Sequence, residues 1–257
     1  MRLILRRYTQ REWLAEEPDL PFHEAASLRK AGEAGIPVPR LVAFDPHADR
    51  TDTPALLMTQ LPGAVDLLPS DFDDWLTQQA RILQPLHAVP LGEFPWRYAP
   101  YNNPASLEPP AWSDAPQLWE KAIEIVNSPP PITPEVFIHR DFHPVNVLWQ
   151  DGKLSGLVDW PNACRGPAGI DISWCRANLA ELYGVEAADR FLQICRSIGA
   201  ASGYHPFWDL MVIIEILPGP PDVYPPWVEY GVQGLNPGLM LRREEAYLAS
   251  VLARLGV

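Results

Sequence analysis

The chain has 257 residues, of which 47% are hydrophobic and 20% charged, the composition of a folded protein with a substantial core. Its net charge of −12 disfavours nucleic acid as a partner, because phosphate backbones attract basic surfaces. The apolar runs are too short to cross a bilayer, and three scattered cysteines favour an intracellular setting. We therefore predict a cytoplasmic protein that binds neither nucleic acid nor membrane.

The first 62 residues have the pattern of a small mixed unit. Its predicted elements are a strand at 2–8, a helix from Pro21 to Gly35, and strands at 40–44 and 55–59. Glu24 lies near the start of the helix. A Leu-Pro-Gly break follows the third strand, so we place a domain boundary at Pro62. The prediction is an α+β protein with units at residues 1–62 and 63–257.

The second unit is predicted to be mainly helical around one hairpin. Ser70 and Asp73 have the spacing of a capping box that opens a helix. Asp151-Gly152 is a two-residue turn signal that joins strands at 145–149 and 154–158. The other predicted elements are a short strand at 136–138 and helices at 117–126, 172–183, 185–198, 206–216 and 242–255.

Residues 139–146 read HRDFHPVN and match the H-R-D-x-x-x-x-N motif of kinase-type phosphoryl transfer, while Asp159 ends the strand that returns from the hairpin. Phosphoryl transfer needs a hydroxyl aligned with the γ-phosphorus and Mg²⁺ on the phosphate oxygens. Asp141 can orient and deprotonate the hydroxyl. Asn146 and Asp159 offer the oxygen ligands that Mg²⁺ prefers.

Two other interpretations of this motif stay open. The motif acid and amide are also ordinary turn and cap residues. In addition, His139, Asp141 and His143 alternate along the chain and could, with Asp159, bind a transition metal for hydrolysis. Pro144 favours a turn over a continuing strand, which weakens that hydrolase alternative. The simpler interpretation of His139 is a buried residue that packs and hydrogen-bonds to fix the loop.

The sequence FIHRDFHPVNVLW at 137–149, with LVDW at 157–160 and the run from Gly166 to Asp171, resembles the aminoglycoside phosphotransferase family. This family includes small-molecule kinases for choline, homoserine and macrolides. The resemblance covers most of the chain. It implies a protein-kinase-like fold with a small β-lobe and a mainly helical large lobe, ATP and Mg²⁺ as cofactors, and a small-molecule hydroxyl as substrate.

The resemblance also implies roles for single residues of the large lobe. The aspartate that matches Asp141 is the catalytic base of the family, and the residues that match Asn146 and Asp159 bind magnesium. Asp171 matches an aspartate that braces the catalytic loop through hydrogen bonds.

In the small lobe, the resemblance places the adenine ring at the hinge, against the backbone carbonyl of Thr59 and the backbone amide of Leu61. The phosphate-anchoring lysine of the family corresponds to Arg6, with Glu24 as its ion-pair partner. An arginine keeps a permanent charge and can grip phosphate with two donors. The adjacent Arg7 is an alternative anchor.

The family's first two strands and glycine-rich loop have no counterpart, since the first strand starts near Leu3 and no glycine precedes Gly32. The resemblance therefore predicts a truncated small lobe whose first strand has an open edge. A homodimer through this edge is one expectation, and a start of the sequence that is too late is another. A catalytically weak nucleotide-binding pseudoenzyme is the main alternative to an active kinase.

The identity of the acceptor stays open. Glu215, Asp222 and Glu229 would tolerate a cationic aminoglycoside, although ordinary solvated acids are the simpler interpretation. The aromatic segments 94–101 and 224–230 could instead shape a pocket for a hydrophobic alcohol.

Overall fold

A three-stranded antiparallel sheet opens the chain in the computed structural model, which describes residues 2–257. The strand order is β1-β3-β2, with bounds β1 Leu3–Arg7, β2 Leu41–Asp45 and β3 Ala55–Thr59. Leu3 pairs with Thr59 and Arg7 with Ala55, so β1 aligns with the whole of β3. The three predicted strands are confirmed. Leu3, Ile4 and Leu5 are exposed, and dimerisation through this edge stays a prediction.

Two helices lie between β1 and β2, namely α1 Arg11–Glu16 and α2 Leu20–Ala31. The predicted helix is α2, which buries Ala25 and Leu28, and Gly35 adopts a positive φ of 69° at the following turn. Glu24 is 1% exposed on the same helix. Helix α1 was not predicted because none of its six residues is buried, so it has no apolar stripe.

Helices dominate the rest of the described chain. They are α3 Phe72–His87, α4 Pro116–Val126, α5 Gly169–Tyr183, α6 Val185–Ser197, α7 Pro206–Ile213, α8 Pro225–Glu229 and α9 Pro237–Leu255. The predicted capping box at Ser70 is wrong, because Asp71 is the N-cap of α3 and its side chain accepts the backbone N–H of Asp74. Helix α9 also starts earlier than predicted, capped by Asn236.

Helix α5 occupies the centre of the large lobe, where it packs against α6, α7 and α9. Its close approach to α7 needs Gly169, since a Cβ there would collide with the Trp208 ring. Asp171, Trp174, Asn178 and Glu181 follow one another at helical spacings of three and four. These side chains therefore share one face of α5.

Four short strands carry the predicted catalytic segment, with bounds β4 Glu135–Ile138, β5 Val147–Gln150, β6 Lys153–Leu157 and β7 Cys164–Pro167. The hairpin of β5 and β6 is confirmed, and both turn residues, Asp151 and Gly152, have positive φ. Strand β7, which pairs with β4, was missed because its sequence CRGP contains glycine and proline. Among residues 2–257, no helix has both the length and the apolarity to cross a membrane.

Candidate active site

The loop between β4 and β5 carries the HRD-type motif, and one buried carboxylate holds its backbone. Asp171 accepts the backbone N–H of His139 at 3.0 Å and that of Arg140 at 2.7 Å. Nε2 of His87, at the end of α3, lies 2.9 Å from the same carboxylate. Arg140 has a φ of 69°, which side chains rarely adopt. These bonds thus fix a strained turn directly before Asp141.

Asp141 is tied to two side chains of the same loop. Nδ2 of Asn146 donates to the backbone carbonyl of Asp141 at 2.8 Å and to its carboxylate at 3.1 Å. Nε2 of His143 lies 3.5 Å from the other carboxylate oxygen. Burial disfavours the charged form, but attraction to His143 and His139 and the Asn146 hydrogen bond outweigh it, so the pKa of this carboxyl falls to about 2. Asp141 is therefore an ionised acceptor at neutral pH.

His139 connects the loop to the end of β6. Its ring is fully buried and packs edge-on against Trp160, with centroids 4.5 Å apart. Nε2 lies 2.9 Å from the Val158 carbonyl and must carry a proton, since a carbonyl only accepts. That nitrogen cannot bind a metal. Across residues 2–257, no group of three or more His, Cys, Asp and Glu side chains is placed to hold a metal, so the hydrolase arrangement is not formed.

Arg6 on β1 joins the small lobe to Asp159. One of its terminal nitrogens donates to Glu24 at 2.9 Å, and the other donates to Asp159 at 2.5 Å. The Tyr8 hydroxyl donates to the second oxygen of Glu24. Burial raises the pKa of Glu24, and the partners Arg6 and Tyr8 offset this only in part. Arg7 instead makes an exposed ion pair with the β2–β3 loop, so Arg6 is the arginine that faces Asp159.

A cleft of about 530 Å³ lies between the three-stranded sheet and the hairpin. It collects most of the residues for which the sequence predicted nucleotide or metal binding, namely Arg6, Thr59, Leu61, Asn146 and Asp159. Glu24 does not line the cleft itself, but it accepts a hydrogen bond from Arg6, which does.

The chain that follows the hinge packs directly against the hairpin. Gly63 has a φ of 98°, and a Cβ there would collide with the Ser155 hydroxyl and the Trp149 carbonyl. Ala64 also exchanges two backbone hydrogen bonds with Trp149. Only glycine allows this close approach, which sets the position of the segment after β3 relative to the hairpin of β5 and β6.

A second cavity, of about 280 Å³, is lined by Asp141 and His143. It adjoins a third cavity of about 260 Å³, since Trp174, Asn178 and Glu181 of α5 line both. We call the two together the acceptor cavity. Asp141 therefore faces the acceptor cavity, while its hydrogen-bond partner Asn146 faces the 530 Å³ cleft.

Three glutamates line the acceptor cavity, and none of them has an ion-pair partner in the described part of the chain. Burial raises the pKa of Glu181 to about 7, while burial and repulsion from Glu181 raise the pKa of Glu244 well above its usual value. Both Glu215 oxygens are buried without a hydrogen bond of ordinary geometry. Burial raises the pKa of this carboxyl to about 7, against attraction by Arg140 and the Tyr101 amide. The interpretation of Glu215 as a solvated acid is therefore wrong.

These buried carboxyls make stability depend on pH. Above the usual glutamate pKa of about 4.3, the folded chain keeps protons that the unfolded chain has released, so the free energy of unfolding falls as pH rises. We expect Glu244→Gln to remove part of this slope and to stabilise the protein more at pH 8 than at pH 5. Urea unfolding across this range measures the effect. Glu120→Gln, an exposed change on α4, is the control. If the free energy of unfolding depends on pH in the same way in both variants, the expectation is contradicted.

Sequence reasoning missed several residues of the site. His87 was missed because its contact with Asp171 depends on tertiary packing. Glu181 and Trp174 were missed although they share the α5 face with Asp171, a spacing that could have pointed to them. Glu244 carried no signal, because it lies on α9 and meets Glu181 only in the folded chain.

This arrangement, a β-sheet lobe over a helical lobe with an HRD-type loop between them, defines the protein-kinase-like fold. A family model described as the phosphotransferase enzyme family, APH, matches residues 1–201. The chain belongs to this family, in agreement with the resemblance of its motifs.

Two curated relatives are similar over part of their length. The chain is 31% identical over 175 residues to homoserine kinase of Pseudomonas aeruginosa, a match that covers 61% of this chain and 54% of the relative. It is 22% identical over 173 residues to aminoglycoside 3'-phosphotransferase of Enterococcus faecalis, which covers 60% of this chain and 64% of the relative. The chain thus spans about half to two thirds of the length of these proteins.

Among solved structures, the fold is similar to that of a thermostable mutant of aminoglycoside phosphotransferase APH(4)-Ia in ternary complex with ADP and hygromycin B. The TM-score is 0.59 at 14% sequence identity, and the match covers 90% of this chain and 82% of that one. The likeness confirms the predicted two-lobed fold.

Proposed function

We propose that the protein is an ATP- and Mg²⁺-dependent phosphotransferase that acts on a hydroxyl of a small molecule. One observation carries the proposal. Asp141 lines the acceptor cavity, Asn146 and Asp159 line the 530 Å³ cleft, and the hydrogen bond from Asn146 to Asp141 joins the two sides. A donor nucleotide and an acceptor bound in these spaces meet at Asp141, as transfer between them requires.

In this proposal Asp141 is the base that orients the acceptor hydroxyl and takes its proton. The low pKa of Asp141 keeps the carboxylate charged, so it accepts a hydrogen bond from the hydroxyl at neutral pH. His139 and Asp171 are positioning residues, because they hold the backbone on both sides of the loop.

Asn146 and Asp159 fit Mg²⁺ chemically. The amide nitrogen of Asn146 donates to Asp141, which leaves its oxygen for a metal, and Asp159 offers a second hard oxygen ligand in the same cleft. Magnesium bound there supplies positive charge to the phosphate oxygens. The Arg6 ion pair holds Asp159 in place from the small lobe.

Thr59 and Leu61 are the proposed adenine contacts, and Arg6, backed by Glu24, is the proposed phosphate anchor. All but Glu24 line the cleft of about 530 Å³. The similar APH(4)-Ia structure is a ternary complex with ADP and hygromycin B, which supports nucleotide binding by this fold.

The acceptor is proposed to carry a cationic group next to its hydroxyl. Glu181, Glu215 and Glu244 line one small space beside Asp141 without forming an ion pair, and Trp174 adds an aromatic wall. A bound ammonium group would pair with these carboxyls in their ionised form, which burial alone disfavours. The two relatives described above are named for homoserine and for aminoglycosides. Both kinds of molecule carry an amino group as well as a hydroxyl, which supports this class of acceptor.

In the experiment, the protein is incubated with Mg·ATP and one hydroxyl compound at a time. The compounds form pairs, and each pair consists of an amino alcohol and its uncharged analogue. We expect ADP release and a phosphorylated product in the mass spectrum, stronger for the amino alcohol of each pair. Nucleotide binding without ADP release for any acceptor would favour the pseudoenzyme instead. Equal rates for the two compounds of each pair would contradict the cationic acceptor but not the proposed kinase activity.

We expect the charge of Arg6 to matter for nucleotide binding more than its fork geometry. Arg6→Met should weaken ATP binding about tenfold or more, since a hydrogen bond between charged groups contributes roughly 1.5–3 kcal/mol. Arg6→Lys should stay within about threefold of wild type, because it keeps the positive charge. Titration calorimetry measures both. Arg7→Met serves as the control, and an equal loss in this variant would contradict the assignment of Arg6 as anchor.

A further inference from the structure

Two tyrosines of the large lobe reach the spaces where donor and acceptor are proposed to bind. Tyr224, directly before α8, lines both the 530 Å³ cleft and the acceptor cavity. Tyr230, directly after α8, lines the cleft alone. Tyr224 is therefore a common wall of the two spaces.

The Tyr224 ring is held in place from two sides. It packs edge-on against Trp227, which is 1% exposed, with centroids 5.6 Å apart. On the other side it packs against His143 at 6.1 Å, the residue whose Nε2 lies 3.5 Å from Asp141. Upstream, Asn102 donates to the backbone carbonyls of residues 214, 215 and 217 and anchors the chain that leads to this wall.

The Tyr224 hydroxyl is a free donor next to the reaction centre. Among residues 2–257, no group forms a hydrogen bond with this hydroxyl. Burial raises the pKa of Tyr224, and the negative charges of Asp141 and Asp159 raise it further, so the hydroxyl keeps its proton. Because the ring borders both spaces, a protonated hydroxyl at this position suits an anionic oxygen that approaches with Mg²⁺.

We propose that both tyrosines belong to the nucleotide site: Tyr224 donates a hydrogen bond to the terminal phosphates, and Tyr230 packs against the nucleoside. This inference rests on the proposed function, since it takes a nucleotide as the occupant of the cleft. Tyr224 also borders the acceptor, so it is a specificity residue that both substrates contact. The helical lobe thereby supplies a wall of the nucleotide site in addition to the sheet and the hairpin.

Titration calorimetry with two probes, AMP-PNP and AMP, each with Mg²⁺, separates the two contacts. Tyr224→Phe should weaken AMP-PNP binding roughly threefold to tenfold and leave AMP binding unchanged, because AMP lacks the terminal phosphates. Tyr230→Ala should weaken both probes by about tenfold, because it removes a ring that packs on the nucleoside.

Two matched controls test whether the losses are local. Tyr183→Phe removes a hydroxyl that bonds the Leu67 carbonyl outside both spaces, and Val228→Ala trims an exposed residue of α8 that lines neither. Both should bind the probes as wild type does. Thermal melts of all variants check that the fold is kept.

The outcomes separate the inference from the proposed function. If wild type binds AMP-PNP and Tyr224→Phe and Tyr230→Ala match it with both probes, the tyrosines do not contact the nucleotide and the inference is overturned. An equal loss of both probes in Tyr224→Phe would overturn the contact with the terminal phosphates. If wild type itself does not bind AMP-PNP, the proposed function fails before any variant is compared.

Discussion

We expect Asp141→Asn to lower kcat by a factor of about 10² to 10⁴, the usual contribution of a general base, while the Kd for Mg·ATP stays within about twofold of wild type. The asparagine side chain has nearly the same shape and still offers one oxygen to Nδ2 of Asn146, so the loop should keep its conformation. It cannot take a proton from the acceptor hydroxyl. Initial rates of ADP release, with calorimetry for nucleotide binding, measure both quantities.

The pH profile gives an independent test of the same residue. Because the pKa of Asp141 is held near 2, the base should stay ionised from about pH 5 to 8, and its protonation should not lower kcat there. The depressed pKa also stabilises the fold above the usual aspartate pKa of about 3.9, a contribution lost as pH falls towards 2. Equal kcat in wild type and Asp141→Asn would remove Asp141 from the catalytic role.

The segment from β4 to β6, which we propose to be catalytic, was the part of the fold that the sequence predicted best. Its strands are short apolar runs bounded by turn residues, and the Asp151-Gly152 turn leaves one register for the hairpin. Local sequence thus determines the backbone that carries Asn146 towards Asp159. The residues that were proposed for Mg²⁺ line one cleft because this hairpin folds back on itself.

The acceptor side could not be predicted in the same way. Its walls come from α5, from α9 and from the chain before α8, which are distant in sequence and have no joint pattern. Glu215 and Glu181 look like surface acids in the sequence, and only packing buries them. Tyr224 and Trp227 line the acceptor cavity, but the contact of Tyr224 with two spaces depends on tertiary structure, and a pocket for a hydrophobic alcohol stays a prediction.

The ion pairs of Arg6 between the two lobes were likewise only partly predictable from the sequence. The family resemblance implied Arg6 and Glu24 as a pair, and the structure adds Asp159 as a third member, since the arginine fork reaches both carboxylates. Arginine can do this and lysine cannot do it with the same geometry. The exchange of the family's lysine for arginine therefore connects the small lobe directly to the proposed metal ligand.

We expect Asp171→Asn to lower both stability and kcat. The carboxylate accepts the His139 and Arg140 backbone N–H groups and contacts His87, and it is completely buried. An asparagine has one acceptor oxygen, so its amide group would face a donor, and each buried donor without a partner costs about 1–3 kcal/mol. The positive φ of Arg140 would then lose the bonds that hold it, and Asp141 would leave its position.

Asp209→Asn is the matched control for this change. Asp209 is also fully buried and pairs with Arg176 at 3.2 Å, on α7 and outside the cavities that are proposed to bind substrate. Both variants should unfold at lower urea concentration. At a temperature where each remains folded, only Asp171→Asn should lower kcat, by about tenfold or more, because only its carboxylate fixes the catalytic loop. If kcat falls in both variants merely in proportion to the unfolded fraction, Asp171 has no positioning role beyond its contribution to stability.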